Sequence, residues 1–182
     1  NPGFTSLDQY RDVESINHFH ILRDRGLHED SAYDILRVHS RDNSRTPMQW
    51  DASESGGFSD AEPWISMNPN HKTINAASQV DDPDSVFSHY RRLIALRKQY
   101  DVIANGDFAP LDMEHPSVLA YTRRTEREEL VVVNNFYRRE VDWKCPVDLT
   151  GFTCLLSNYA DSKVETKLHL RPYESLVLYR TK

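Results

Sequence analysis

The feature that most constrains the fold is a change of residue pattern near Gly106. The segments after it are short, rich in β-branched and aromatic residues, and separated by turn residues; they read SVLAYTRR, ELVVVNNF, REVDWKC, FTCLLSN, KVETKLHLR and ESLVLYR. Val118, Ala120 and Thr122 alternate with other residues, which is typical of half-buried strands. The regular spacing predicts a small antiparallel sandwich or barrel of roughly 70 residues.

The residues before Gly106 instead predict helices joined by loops. The segment TSLDQYRDVESINHFHILRDRGL predicts a first helix that Thr5 or Ser6 caps and that ends at Gly26. Its expected apolar stripe contains Leu7, Tyr10, Val13 and Ile16. The segment EDSAYDILRVHS predicts a second, short helix with Ile35 and Leu36 turned inward.

A third helix is predicted from DDPDSVFSHYRRLIALRKQY, with Asp81 or Asp82 as its cap and Pro83 at its first position. Its expected apolar face contains Val86, Tyr90, Leu93 and Ile94. The aspartates lack the glycine and glutamate spacing of a calcium-binding loop, so capping is favoured over a metal site. Residues 40–80, which precede this helix, are rich in turn residues. Irregular stretches of this length are often functional.

Composition limits the classes of partner. A net charge of −6 argues against a nucleic-acid interface and, weakly, against an anionic membrane surface. No apolar run approaches a membrane span, and NPGFTSLDQY lacks the features of a signal peptide. The chain has two cysteines, Cys145 and Cys154, which we expect to be buried free thiols in a cytoplasmic protein. The opening NPGF without an initiator methionine indicates a fragment.

Few residues suggest a catalytic or metal site. The nucleophile-elbow, phosphate-loop, paired-cysteine and zinc-protease motifs are missing. His18 and His20 point to different sides of a helix, so they are not expected to share a metal. Glycoside hydrolysis needs two carboxylates across the scissile bond, and Asp42, Asp51 and Glu62 could be nominated. The favoured interpretation is that these three form salt bridges with nearby arginines or cap turns.

The segment RDNSRTPMQWD, residues 41–51, combines charged groups with a proline and a tryptophan. A guanidinium can bind a carboxylate or vicinal hydroxyls through two parallel hydrogen bonds, and Trp50 offers a broad apolar face. These residue types together are typical of the wall of a binding site for a polyhydroxylated ligand. The alternative is that Arg41 and Asp42 only tie a long loop to the scaffold, and composition alone leaves both possibilities open.

At this segment the chain resembles the α-glucosidase branch of the α-amylase family of glycoside hydrolases. The resemblance rests on RDNSRTPMQWD followed by GGFS and EPWI, on YRDVES before it, and on HYRRLIALRKQY after it. Within that branch, TSLDQYRDVESINHFHILRDRG and LHLRPYESLVLY are most similar to the hydrolases of trehalose 6-phosphate, with the oligo-1,6-glucosidases as the alternative. The resemblance implies an α+β fragment: the last helices and a loop of a (β/α)8 barrel over residues 1–105, followed by an antiparallel β-sandwich C-terminal domain over residues 106–182.

The resemblance also implies a retaining mechanism with an aspartate nucleophile, a glutamate acid/base and a third, stabilising aspartate. The family places these three before the first residue of this chain, so no catalytic residue is expected in the fragment. Arg41 matches the family arginine that binds the sugar and pairs with an acidic residue. Arg45 is implied to support the pocket or to approach the aglycone side.

The implied ligand is a disaccharide or oligosaccharide, phosphorylated or not, with no cofactor and no metal. A third possibility is a non-catalytic module whose β-domain binds carbohydrate or stabilises a barrel. For the fragment alone, we expect the apolar face of the third helix to pack on the sandwich, to self-associate, or both.

Overall fold

The computed structural model describes all residues, 1–182, and divides them into two compact units, residues 1–91 and 92–182. The first unit contains helix α1 (Val13–Asp24), helix α2 (Glu29–His39) and the start of helix α3 (Val86–Gln99). The second unit begins within α3 and continues with the short helix α4 (Asp101–Asn105). Seven strands follow: β1 (Asp107–Leu111), β2 (Val118–Arg124), β3 (Glu128–Asn135), β4 (Val141–Lys144), β5 (Thr153–Ser157), β6 (Lys167–Leu170) and β7 (Ser175–Thr181). None of the helices combines the length and the apolar character that crossing a bilayer requires.

The first helix begins later than the sequence predicted. Its cap is Asp12, whose carboxylate accepts a hydrogen bond from the Ser15 amide at 3.3 Å, whereas Ser6 starts a separate 3₁₀ turn. The predicted stripe is therefore wrong at Val13, which is 66% exposed. The buried positions are Ser15, Phe19 and Leu22, spaced as one helical face.

The predicted end of α1 at Gly26 is confirmed. Gly26 has φ +86°, a conformation that glycine adopts without steric cost. Its amide donates to the Arg23 carbonyl at 2.9 Å, and the Leu27 amide donates to the Leu22 carbonyl at 3.1 Å. Together these two bonds form a Schellman motif, which satisfies carbonyls that the helix end leaves without partners.

Helices α1 and α2 enclose the apolar core of the first unit. The Phe19 and Tyr33 rings lie 4.8 Å apart between their centroids. Leu36 is buried as predicted, while Ile35 is half-buried at the edge of the core. The core consists of Phe4, Tyr10, Phe19, Leu22, Ala32, Tyr33, Leu36 and Ile65.

The start of α3 also differs from the prediction. The Ser85 hydroxyl accepts the Ser88 amide at 3.1 Å and so caps the helix. Asp82 instead closes a turn by accepting the Asp84 amide at 2.9 Å. The predicted apolar face is largely exposed, with values of 67% at Val86, 63% at Tyr90, 37% at Leu93 and 53% at Ile94.

The strand-rich region forms the predicted antiparallel sandwich. One sheet has five strands in the order β1-β2-β3-β7-β5, and the other pairs β4 with β6. The predicted alternation is confirmed on β2, where Val118, Ala120 and Thr122 are all buried. The core between the sheets contains Trp143, whose indole N–H donates to Asp112 Oδ2 at 2.8 Å.

Strand β1 was not predicted from the sequence. It lies at the edge of the five-stranded sheet and contains Pro110. A proline is tolerated there because an edge strand has one side without ladder partners, but it weakens the strand pattern in the sequence.

The expectation of two buried thiols is only half right: Cys145 is buried and Cys154 is exposed.

We expect Leu178→Ala to lower the free energy of unfolding of the second unit by about 2–5 kcal/mol, because it leaves a cavity in the fully buried core. Denaturant unfolding followed by near-ultraviolet circular dichroism of the buried Trp143 measures this. Leu119→Ala is the matched control, since Leu119 is 51% exposed on the same sheet. A comparable loss in both variants would contradict the assigned core.

Candidate functional site

The segment nominated from the sequence folds as a 3₁₀ turn over Arg41–Ser44, directly after α2. Ser40 caps this turn, since its hydroxyl accepts the Asp42 amide at 3.2 Å. The Asn43 side-chain amide donates to the Arg37 carbonyl at 2.9 Å and ties the turn back onto α2. The turn therefore places Arg41 at its start, and Arg45 follows directly after its last residue.

Arg41 binds a carboxylate that lies 29 residues earlier in the chain. Its Nε and Nη2 atoms donate to Asp12 Oδ1 at 3.2 and 2.7 Å. Nη2 also lies 3.2 Å from the exposed Glu14 carboxylate. Asp12 is 4% exposed, whereas the Arg41 side chain is 59% exposed. One edge of the guanidinium is thus anchored on a buried acid, and the remainder is open to a ligand.

Arg45 lies beside Arg41 and shares its acidic partner. Its Nη2 donates to Asp42 Oδ1 at 2.6 Å and lies 3.7 Å from Asp12 Oδ1. The guanidinium carbon lies 5.8 Å from the centre of the Trp64 ring, within the range of a cation–π interaction. The structure therefore brings together both arginines that the sequence nominated.

Asp12 is the residue of this cluster that the sequence analysis missed. Besides binding Arg41, it caps α1 and accepts the Ser15 hydroxyl at 2.7 Å. Because the first helix was predicted to start at Thr5 or Ser6, Asp12 was assigned to the middle of that helix. The usable signal was an aspartate three residues before a serine, followed by a helical stripe that starts at Ser15.

The pKa of Asp12 reflects these partners. Burial alone would raise it, but hydrogen bonds from Ser15 and Arg41 outweigh burial and lower the pKa to about 2. The pKa of Arg41 is raised, first by its hydrogen bond with Asp12 and then by the charges of Asp12 and Glu14. The pair is therefore ionised throughout the neutral range.

The three nominated carboxylates have separate surroundings. Asp42 is fully buried within the arginine cluster. Asp51 closes a turn by accepting the Ser53 amide at 2.8 Å, and hydrogen bonds from Ser53 lower its pKa. Glu62 is exposed. These contacts are the salt bridges and turn caps that the sequence analysis favoured for two of the three.

The rest of the motif shapes the long loop. The Gln49 and Trp50 carbonyls accept the amides of Ala76 and Ala77 at 2.8 and 2.9 Å, which joins the two ends of the loop. Two further 3₁₀ turns, Glu54–Gly57 and Pro69–Lys72, lie between them. Trp50, which the sequence analysis expected to offer a broad apolar face, is 53% exposed.

Neither histidine considered as a metal ligand enters this cluster. His18 and His20 are both exposed on α1. No group of histidine, cysteine and acidic side chains in the chain has an arrangement suited to a metal ion. The chemistry that the cluster offers is hydrogen-bond donation from two oriented guanidinium groups.

Comparisons with known proteins identify the protein family. Residues 9–106 match the alpha-amylase catalytic domain, and residues 118–177 match the alpha-amylase SusG C-terminal domain. The chain belongs to the alpha-amylase family. This confirms the predicted fold class, part of that family's catalytic domain followed by an antiparallel β-domain.

Individual relatives cover nearly the whole chain. Trehalose-6-phosphate hydrolase from Bacillus subtilis strain 168 is 41% identical over 100% of the chain and 33% of its own length. An oligo-1,6-glucosidase from Halalkalibacterium halodurans is 40% identical over 97% of the chain and 32% of its own length. The crystal structure of trehalose-6-phosphate hydrolase from Bacillus licheniformis has 40% identity and a TM-score of 0.94, covering 100% of the chain and 34% of that structure. The chain thus spans about a third of the length of these alpha-amylase relatives.

We expect acid to weaken the first unit through Asp12. Its folded pKa of about 2 lies below the unfolded value of about 3.9. Its contribution to stability is therefore present above about pH 4 and is lost as the pH falls towards about 2. In thermal unfolding between pH 5 and pH 2, Asp12→Asn should show a shallower pH dependence than the parent chain.

The exposed Asp60 provides the matched control for this measurement. Asp60→Asn should keep the pH dependence of the parent chain, because its carboxylate has no comparable burial. Equal slopes for the parent chain and Asp12→Asn would show that Asp12 is not the titrating group.

Proposed function

We propose that this chain is the C-terminal part of a retaining α-glucoside hydrolase that converts trehalose 6-phosphate into glucose and glucose 6-phosphate. The observation that supports this most directly is the anchored pair of guanidinium groups, Arg41 and Arg45. The whole of this 182-residue chain is also 41% identical to part of a trehalose-6-phosphate hydrolase. The alternative substrate is an isomalto-oligosaccharide, since an oligo-1,6-glucosidase is 40% identical.

In this proposal Arg41 binds the hydroxyl groups of the non-reducing glucose. Asp12 holds the Nε and Nη2 edge of the guanidinium, so the rest of the group can donate to vicinal hydroxyls without first being ordered. Preorganised donors of this kind stabilise a transition state because little reorganisation is needed during reaction. Arg45 supports this pocket or approaches the aglycone sugar.

The bond-breaking groups are assigned to residues that precede this chain in the intact enzyme. Asp42 and Asp51 are not nominated in their place, since Asp42 is fully buried and bonded to Arg45 and Asp51 is bonded to Ser53. The 182-residue chain alone would then be inactive. It would act only as a non-catalytic module whose β-domain binds carbohydrate or stabilises a barrel. That non-catalytic behaviour is the second candidate function.

The boundary between the two domains is proposed to lie at residues 105/106. Supporting this, β1 begins at Asp107 and the catalytic-domain match ends at residue 106. The compact units divide earlier, between residues 91 and 92, within α3. A cytoplasmic location and self-association through the exposed face of α3 are further proposals, the latter supported by the exposure of Val86, Tyr90 and Ile94.

We predict that the 182-residue chain hydrolyses neither p-nitrophenyl α-glucoside nor trehalose 6-phosphate, since it lacks the acid and the nucleophile. The intact enzyme should hydrolyse trehalose 6-phosphate in preference to isomaltose. Release of glucose from each of the three substrates tests both statements. Turnover by the isolated chain would refute the upstream location of the carboxylates, and a preference for isomaltose would favour the oligo-1,6-glucosidase alternative.

In the intact enzyme, Arg41→Ala should lower kcat/KM by about one to three orders of magnitude, the scale of a lost charged contact in a closed pocket. Steady-state kinetics with trehalose 6-phosphate measures the effect. Arg25→Ala is the control, because Arg25 is exposed at the end of α1. An unchanged value for Arg41→Ala would place that residue outside the substrate pocket.

A further inference from the structure

The carboxylate of Asp42 is the most enclosed charged group in the arginine cluster. It is 0% exposed and accepts hydrogen bonds from three donors. Oδ2 accepts the backbone amides of Arg11 and Asp12 at 2.7 and 2.9 Å, and Oδ1 accepts Arg45 Nη2 at 2.6 Å. A buried charge is stable only when such partners surround it.

The backbone contacts of Asp42 reach Arg41 through Asp12. By holding the Asp12 amide, Asp42 fixes the residue whose own carboxylate binds Arg41 and caps α1. A second connection runs through hydroxyl groups. The Asp42 amide donates to Ser40 Oγ, which lies 2.9 Å from Ser15 Oγ, and Ser15 in turn donates to Asp12 Oδ2 at 2.7 Å.

A closed ring of contacts also links Asp42 to Trp64. The amide of Arg11 donates to Asp42, while its Nε donates to the Trp64 carbonyl at 3.2 Å. The Trp64 ring faces the Arg45 guanidinium at 5.8 Å, and Arg45 returns to Asp42. Arg45 therefore lies between a buried carboxylate and the ring of Trp64, a residue that is connected to the same carboxylate through Arg11.

We propose that Asp42 is the positioning residue for both guanidinium groups, holding Arg45 directly and Arg41 through Asp12. The inference rests on the proposed function, because it assigns the substrate-binding geometry to a residue that does not touch substrate. Its physical basis is preorganisation: a donor displaced by about 1 Å can lower a rate by about a hundredfold. Asp42 prevents that displacement because its bonds to backbone amides leave it no alternative position.

Asp42→Asn in the intact enzyme tests this proposal. An asparagine side chain has one oxygen that accepts hydrogen bonds, and an NH₂ group takes the place of the second carboxylate oxygen. Either the two backbone amides or Arg45 would therefore lose their acceptor. We expect kcat/KM for trehalose 6-phosphate to fall about tenfold to a hundredfold. The matched control is Asp34→Asn, which removes the carboxylate of another arginine–aspartate pair at i, i+3 spacing, Asp34 and Arg37, where Asp34 is 72% exposed. That control should keep the parent kinetics.

A double-mutant cycle separates positioning from a general structural role. If Asp42 acts through Arg45, Asp42→Asn should have a markedly smaller effect on kcat/KM in the Arg45→Ala background than in the parent enzyme. Equal effects in both backgrounds would overturn direct positioning of Arg45. Arg41→Ala, measured in parallel, tests the proposed function separately: a strong loss there, with no loss for Asp42→Asn, would reject the positioning role alone.

A milder variant keeps the test open if Asp42→Asn does not fold. Ser40→Ala removes the hydroxyl that accepts the Asp42 amide and contacts Ser15. We expect a decrease of kcat/KM of about threefold to tenfold, consistent with one neutral hydrogen bond. An unchanged kcat/KM in folded Ser40→Ala, together with failure of Asp42→Asn to fold, would show that Asp42 stabilises the chain without setting the arginine geometry.

Discussion

The pairing of two buried carboxylates with two arginines is the interaction on which the first unit depends. Asp12 and Asp42 are 4% and 0% exposed, and each buried carboxylate accepts hydrogen bonds from an arginine and from other donors. Asp12 caps α1 and binds Arg41, while Asp42 holds the backbone before α1 and binds Arg45. The start of α1, the turn after α2 and the arginine pair are therefore placed by one network. A change at any member would alter the others.

The β-domain also contains a buried carboxylate that is paired with two arginines, and there the pairing joins strands. Glu129 is 2% exposed and lies between Arg124 and Arg180, each 2.6 Å from one of its carboxylate oxygens. Burial alone would raise the pKa of Glu129, but hydrogen bonds from Arg180 and Arg124 outweigh burial and lower it. These ion pairs connect β2, β3 and β7. Side-chain exposure of the arginines overlaps between the two clusters, with 30% at Arg180 and 47% at Arg124 against 39% at Arg45 and 59% at Arg41.

Some elements could be predicted because their signal is local. Six of the seven strands carry alternating or continuous apolar residues between turn residues, and the glycine that ends α1 lies where φ is positive. Strand β1 was not predicted from the sequence because it lies at an edge and contains Pro110. The starts of α1 and α3 were wrong because several nearby polar residues could serve as caps. Asp12 and Ser85 became the caps by the geometry of their own side chains.

The sequence by itself determined three of the four helices and six of the seven strands, the antiparallel sandwich, the family and the nomination of Arg41 and Arg45. These follow from periodicity, turn chemistry and a contiguous motif, all of which are properties of neighbouring residues. Only the tertiary structure decided that Asp12 is the partner of Arg41, since 29 residues separate them. It also decided that Asp42 points into the protein rather than towards a ligand. Contacts between distant segments depend on how α1 and α2 pack, and no local pattern specifies that.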